Sequence, residues 1–292
     1  MTDLATATDL LIAFAVMGGI TLVLGLCCGL ATVPRGQWLV LCLSAALCGG
    51  FAFLWYSAGR LYWAGWIDAS AVIVWSNFTP LLFAAAAGLA FRLPKTPLWR
   101  RCLSGILLAL VTVPALFWPL IGPALRPPPR GNVLVHRGLQ MQSSWATCSP
   151  AAAATLLTLN EIPTSEHQMI GPCLTDEAGT PTLGLYRGLK LAAHAAGSDV
   201  EVVSASIDEL LAADQWPVLL LVRLPQTGVD DPRYEQEWGW IKGMGHSVVA
   251  NGLTPDGRIE ILDPSIGREA WRIEDLQVLW HGDALRLTNP TP

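Results

Sequence analysis

The sequence predicts a four-helix transmembrane domain over residues 1–124 and an α+β domain over residues 132–292. Three observations predict it. The chain of 292 residues is 52% hydrophobic and 14% charged, whereas soluble globular chains carry roughly 25% charged residues. Its charge is unevenly shared: residues 1–124 hold six Lys or Arg against three Asp or Glu, and the remainder holds 12 against 20, leaving +3 and −8. A proline-dense stretch, from Gly122 to Gly131, lies between the two halves. A wholly soluble protein is thereby excluded, and the −8 of the second half argues against nucleic acid as a partner.

In the first half, a bilayer core of roughly 30 Å needs about 20 apolar residues as helix, because each backbone amide must be satisfied within the segment. Four stretches qualify: Leu10 to Val33, Trp38 to Ala58, Ala69 to Phe91 and Cys102 to Ile121. The first has no basic leading segment and opens with Asp3 and Asp9, so it is expected to stay as an anchor rather than be cleaved as a signal peptide. The lipid bilayer is the expected partner. Basic residues are retained on the cytoplasmic side. Arg35 lies in the first turn and Arg92, Lys95, Arg100 and Arg101 in the third, while the middle loop offers Arg60 against Asp68. Both termini, and with them the C-terminal domain, are therefore expected outside the cytoplasm of a bacterial cytoplasmic membrane. Tyr56, Tyr62, Trp63 and Trp66 gather around the middle loop, as amphipathic rings do at an interface.

Gly25 and Gly29 form a small-xxx-small pair, and Gly49 and Gly50 lie on the second span; both let helix backbones approach closely. Asn77, Thr79 and Pro80 interrupt the third span. No ionisable residue lies deep in these spans, so the interruption reads as interhelical hydrogen bonding rather than a transport path. No G-x-x-x-x-G-K-[ST] phosphate loop occurs, so the chain carries no ATP motor of its own.

The prolines after Ile121 predict a stiff, extended spacer ending in a linker over residues 125–131. In the second half, helices are predicted over Ser149 to Leu159, Thr182 to Ala196 and Ile207 to Ala213, the last capped by Ser206. Strands are predicted at Val200–Val203, Pro217–Leu224, Ser247–Asn251, Ile259–Leu262 and Glu269–Ile273. Helices followed by an antiparallel run of strands make an α+β domain.

Five of the seven cysteines fall in or beside the spans, where they serve as small apolar side chains, which leaves Cys148 and Cys173. No C-x-x-C or H-x-x-x-H spacing occurs, and no metal or cofactor is expected. Cys148 opens a predicted helix, whose N-terminus favours a thiolate. The dipole is worth about 0.3–1 kcal/mol, less than one pKa unit, so a cationic partner is also required. His246 stands at the start of a strand, and Asp263 follows the next one after the Pro255-Asp256-Gly257 turn. Adjacent antiparallel strands would bring them together, the carboxylate orienting the imidazole. Gln142 can offer its amide to an oxyanion beside the Cys148 N–H. His136, His167, His194 and His281 lack motif partners and read as packing or surface residues.

This set resembles the bacteriocin-processing, double-glycine leader peptidases, cysteine peptidase family 39. The spacing from Gln142 to Cys148, the Gly179-Thr180-Pro-Thr-Leu-Gly184-Leu185 segment, the apolar Trp216-Pro217-Val-Leu-Leu-Leu-Val strand, His246-Ser-Val-Val and Asp263-Pro264 all match, in order, over residues 140 to 275. The resemblance implies a papain-like cysteine peptidase with Cys148 as nucleophile, His246 as base, Asp263 as its orienting group and Gln142 as oxyanion donor. It also implies a peptide substrate cut after a Gly-Gly-type leader site. Three departures stand out. Thr147-Cys148-Ser149 replaces the usual Asp-Cys-Gly. Residues Pro225 to Gly245 insert an acidic, Trp-containing loop, a lid or a substrate rim. The domain follows its membrane helices and has no ATPase behind it, so a separate exporter is the expected partner. Two alternatives remain open: a catalytically silent peptide-binding accessory domain, and a thiol enzyme that transfers the acyl group to an amine.

Overall fold

The computed structural model describes residues 8–30, 36–131, 133, 135, 136 and 138–288. Val33 and Arg35, used above for the first span and its turn, lie outside the described residues. The chain divides into two compact units, Met1–Trp63 with Ala71–Leu125, and Ala64–Ser70 with Arg126–Pro292.

The described chain up to Leu125 is helical: α1 (Thr8–Leu30), α2 (Gln37–Tyr56), α3 (Tyr62–Trp66, whose last three residues belong to the second unit), α4 (Val72–Trp75), α5 (Thr79–Ala90) and α6 (Leu98–Leu125). Four stretches, Thr8–Leu30, Gln37–Tyr56, Val72–Ala90 and Leu98–Leu125, are long and apolar enough to cross a membrane. Helix α5 packs against α1, α2 and α6. Gly88 makes the closest approach possible, since a Cβ there would run into the Gly25 carbonyl, Cys28 and the Gly29 amide.

The third span is broken between α4 and α5, and Asn77 explains how the break is tolerated. Its Oδ1 accepts from the Thr79 N–H at 3.2 Å, and its Nδ2 donates to the Ala115 carbonyl at 2.7 Å. Pro119 stands four residues beyond Ala115 and has no N–H for that carbonyl. The asparagine thus supplies the donor that the proline removed, as an apolar environment requires. One expectation needs correction. The extended spacer does not begin after Ile121, because α6 continues to Leu125 with Pro114, Pro119 and Pro123 inside it. Each proline deletes one hydrogen bond of the ladder, and the rest of the ladder carries the helix through.

The second unit contains β1 (Val135–His136), β2 (Leu139–Gln140), a 3-10 turn (Trp145–Thr147), α7 (Cys148–Leu159), α8 (Glu166–Ile170), α9 (Thr182–Ala195), β3 (Asp199–Ser204), α10 (Ile207–Ala213), β4 (Val218–Arg223), a π turn (Arg233–Glu237), β5 (Gly245–Leu253), β6 (Ile259–Asp263), β7 (Gly267–Trp271), α11 (Ile273–Leu279) and β8 (Trp280–Thr288). Six strands form one antiparallel sheet in the order β3-β8-β4-β5-β6-β7. Strand β8 and helix α11 were not anticipated from sequence. The residues after Leu125 leave helix, but they are not a free spacer: Arg126 pairs with Asp176 at 2.5 Å, and Gly131 lies flush against His167 and Ile170.

Strand alternation divides the core in two. Leu285, Leu219, Val249 and Leu262 are neighbours in register across β8, β4, β5 and β6, and all are fully buried. Helix α7 packs on β4, β5 and β6. The other face carries Leu220, Val248, Ala250, Ile261 and Trp271, closed by Tyr234, Trp238 and Trp240 from the 225–245 loop. Helix α7 is buried from Cys148 through Leu157, as expected of a helix that is apolar on every side. On α9, a Cβ at Gly184 or Gly188 would collide with Cys173, so the two glycines make room for that residue. The deeply buried Lys190 of α9 forms ion pairs with Asp68 and Asp199.

Candidate active site

The site starts from the strap between β2 and α7. The Thr155 hydroxyl of α7 accepts from the Gln140 N–H at 3.0 Å. The fully buried Glu166 accepts from the Ser143 N–H at 2.7 Å and the Ser143 hydroxyl at 2.9 Å. Ser144 then caps the 3-10 turn, accepting from the Ala146 N–H at 3.1 Å. A strap held at these points delivers Cys148 as the first residue of α7, where the helix N-terminus faces the sulfur.

His246 is the second residue of β5, and Asp263 ends β6. Continuing the Val249–Leu262 register by one step sets Val248 opposite Asp263, so His246 is the diagonal neighbour on the same face. That geometry gives a hydrogen bond from His246 Nε2 to Asp263 Oδ1 of 2.8 Å. The other ring nitrogen, Nδ1, is not engaged by Asp263, and Cys148 is the thiol that His246 influences. Asp263 is wholly buried and also accepts from the Ser265 N–H at 2.7 Å, the Ser265 hydroxyl at 2.6 Å and Trp240 Nε1 at 3.1 Å.

Charge follows from these contacts. Burial pushes the Cys148 thiol up, but the His246 hydrogen bond and charge, a bond to Ser149 and the Ser247 N–H together bring it below its ordinary value. For His246, burial acts downward and is outweighed by the charge and hydrogen bond of Asp263 and by Cys148, so the imidazole is pushed up to about 10. Burial would raise Asp263, yet His246 and Ser265 hold its carboxyl below the usual range. The favoured state is a thiolate beside an imidazolium, the form in which a cysteine is a nucleophile.

Gln142 and His246 line a slot with Trp145, Trp240, Ile241 and Met244. The Gln142 N–H donates to the Pro264 carbonyl at 2.8 Å, which ties it to the residue after Asp263. Its side-chain oxygen is buried with no hydrogen-bond partner among the described residues. That atom is an acceptor, so the group able to meet an oxyanion is the Nε2 amide on the other side of the carboxamide. Cys173 is different: fully buried, it is pushed up to about 12 by loss of hydration, with Arg187 only partly opposing. Both Cys148 and Cys173 are free thiols. Among the described residues no group of three His, Cys, Asp or Glu is arranged for a metal.

Ser149 occupies the position where the resemblance expects glycine. It is buried, and its hydroxyl lies 2.8 Å from that of Ser247 and 3.9 Å from the Cys148 sulfur. The 225–245 loop is anchored to the body of the domain. Arg233 and Tyr234 both donate to Asp275 Oδ1, at 2.9 and 2.8 Å, and Trp238 stacks on Trp271 at 5.3 Å. Sequence reasoning passed over Trp240, Ser265 and Ser247. Only Ser265, two residues after Asp263 and placed to cap its carboxylate, left a local signal.

No family model and no curated protein matches the sequence. Among solved structures, the C-terminal half is similar to the peptidase domain of Streptococcus ComA, a bifunctional ABC transporter involved in quorum sensing, with 22% identity over 53% of this chain and 100% of that one, TM-score 0.41. It is also similar to a double-glycine-motif protease from an AMS/PCAT transporter in complex with the leader peptide, with 18% identity over 56% of this chain and 99% of that one, TM-score 0.41. A third is the N-terminal peptidase C39-like domain of a toxin secretion ATP-binding protein from Vibrio parahaemolyticus, with 13% identity over 50% of this chain and 100% of that one, TM-score 0.35. These three are peptidase domains of the double-glycine or C39 kind taken from transporters or secretion proteins.

Proposed function

We propose that the chain is a membrane-anchored cysteine peptidase in which Cys148, His246 and Asp263 cleave a peptide bond and Gln142 stabilises the oxyanion. The observation that carries this reading is a buried thiol at a helix N-terminus whose thiolate is favoured by a neighbouring imidazole, which a buried carboxylate holds at 2.8 Å. The Cys148 thiolate attacks the carbonyl carbon, and the developing oxyanion meets the Cys148 N–H and the Gln142 amide. His246 passes its proton to the leaving amine, which departs and leaves a thioester on Cys148. Water, deprotonated by His246, then hydrolyses the thioester and frees the thiolate.

The sequence resemblance supplies the substrate class, a leader peptide cut after a Gly-Gly-type site, and a separate exporter as the partner that moves the product. The distribution of basic loop residues favours an extracytoplasmic C-terminal unit. Ser149 is compatible with activity, because its side chain is absorbed by the bond to Ser247 and so does not favour the catalytically silent alternative. Cys148→Ala in the full chain is expected to abolish cleavage of a Gly-Gly leader peptide while leaving thermal unfolding unchanged. Turnover at the parent rate would refute the assignment.

A further inference from the structure

We propose that Trp240, carried by the 225–245 loop, is a positioning residue that fixes the Asp263 carboxylate against His246 and keeps water from the pair. The inference rests on the peptidase reading above and assigns a task to a segment that the resemblance leaves unmatched.

Trp240 makes two contacts at once. Its Nε1 donates to Asp263 Oδ2 at 3.1 Å, on the oxygen that His246 does not use. Its ring also stands edge-on to the imidazole, with centroids 4.7 Å apart and planes at 63°. A carboxylate held on Oδ1 alone can swing about its Cβ–Cγ bond, and a donor on Oδ2 removes that freedom. The ring covers the imidazole flank, and Asp263 has no exposed surface. With water kept away, the field of the carboxylate on His246 is less screened.

The loop is braced for this task. The Trp240 N–H donates to the Tyr234 carbonyl at 2.8 Å, and the Gly243 N–H to the Leu224 carbonyl at 2.8 Å. Tyr234 in turn bonds Asp275, and Trp240 packs on both Trp238 and Trp271 at 5.6 Å. The titratable groups around the pair are Cys148 on α7, Asp263 on β6 and Glu269 on β7, whose carboxyl feels Asp263 and Glu237. Among the described residues the indole N–H is the donor recorded on Oδ2, and it orients that oxygen.

The test uses the full chain in detergent and two readouts, leader-peptide turnover and the pH dependence of Cys148 alkylation by iodoacetamide. Trp240→Phe is expected to lower kcat about 10- to 100-fold with KM unchanged, the size of effect that small misplacements of catalytic groups produce. It is also expected to move the acid limb of alkylation upward, because a screened carboxylate supports the imidazolium less. Trp280→Phe, in the same core but with its indole donating to the Asp283 carbonyl, should leave both readouts at parent values. Benzothienylalanine at position 240 keeps the ring shape and deletes the N–H; it covers the case in which Trp240→Phe does not fold, and should reproduce the fall in kcat through the freed carboxylate, with a smaller move of the alkylation limb because the ring still excludes water. Parent kcat in the position-240 variants, or equal loss from Trp280→Phe, would overturn the proposal. The alkylation profile needs no substrate, so it remains readable even if the peptidase reading itself fails on Cys148→Ala.

Discussion

Asp263→Asn is the sharpest probe of the proposed triad, because the structure states what each atom of the new side chain would meet. The carboxylate takes three donors on Oδ1, from His246 and twice from Ser265, and one on Oδ2, from Trp240. An asparagine must keep its oxygen at the first position, which sets its NH2 against the indole N–H, two donors facing one another. Leaving a buried donor unsatisfied costs about 1–3 kcal/mol. The larger effect is electrostatic. His246 is raised from 6.5 to about 10, with Asp263 and Cys148 the groups that raise it. Asp263 is the largest of the raising groups, by charge and by hydrogen bond, and a hydrogen bond to a charged group is worth about 1.5–3 kcal/mol; a loss of about 2 kcal/mol is a roughly 30-fold shift from the ion pair toward the neutral pair. Asp263→Asn should therefore lower leader-peptide kcat/KM at least about 30-fold, and iodoacetamide labelling of Cys148 should lose its reactive thiolate at neutral pH. Labelling and turnover that match the parent across the pH range would show that the carboxylate does not support the ion pair.

The remaining predictions address the limbs of the pH profile and the packing around the site. Turnover requires thiolate and imidazolium together, so it should rise as pH passes the lowered Cys148 value and fall as pH passes about 10, where His246 loses its proton; a bell lying wholly above the ordinary thiol range would contradict this. Ser149→Gly removes the 2.8 Å bond to Ser247 and should cost about 1 kcal/mol of stability in a denaturant titration, with activity kept within a few-fold; complete loss of turnover would give the hydroxyl a chemical role. Gly188→Ala drives a methyl into Cys173 and should destabilise by about 1–3 kcal/mol, read as a fall in Tm. Adding Cys173→Ala should recover part of that loss, and no recovery would place the strain elsewhere.

Local chemistry made much of the second unit legible. Helix α10 was readable to the residue, because Ser206 accepts from the Glu209 N–H while Glu209 returns a bond to the Ser206 N–H. Strands β4 to β6 were readable from β-branched runs cut by turn residues, and the order Cys148, His246, Asp263 was visible because each sits at the end of an element. What stayed hidden depends on distant chain. Strand β8 wedges between β3 and β4, joining the last strand of the chain to earlier ones, and nothing in Trp280 to Thr288 records those neighbours. Trp240 was read as part of an inserted loop, since a tryptophan shows in sequence neither the carboxylate it will donate to nor the ring it will cover. Pro123 read as a helix end for a related reason: its cost is local, whereas the continuation of α6 is decided by the whole ladder.

Helix α7 has a consequence for how the site tolerates change. Ala151, Ala152, Ala153 and Ala154 are completely buried, and the helix lies directly on β5. Cys148 rides on the helix and His246 on the strand, so the gap between sulfur and imidazole is set by the thickness of the layer between them. Successive residues point to different sides of a helix, so the methyl groups that face the strand act as a shim and the others let neighbouring elements close in. A larger side chain on the strand-facing side lifts one reactive group away from the other while leaving both chemically intact. The alignment of this thiol is thus specified by residues that carry no functional group at all.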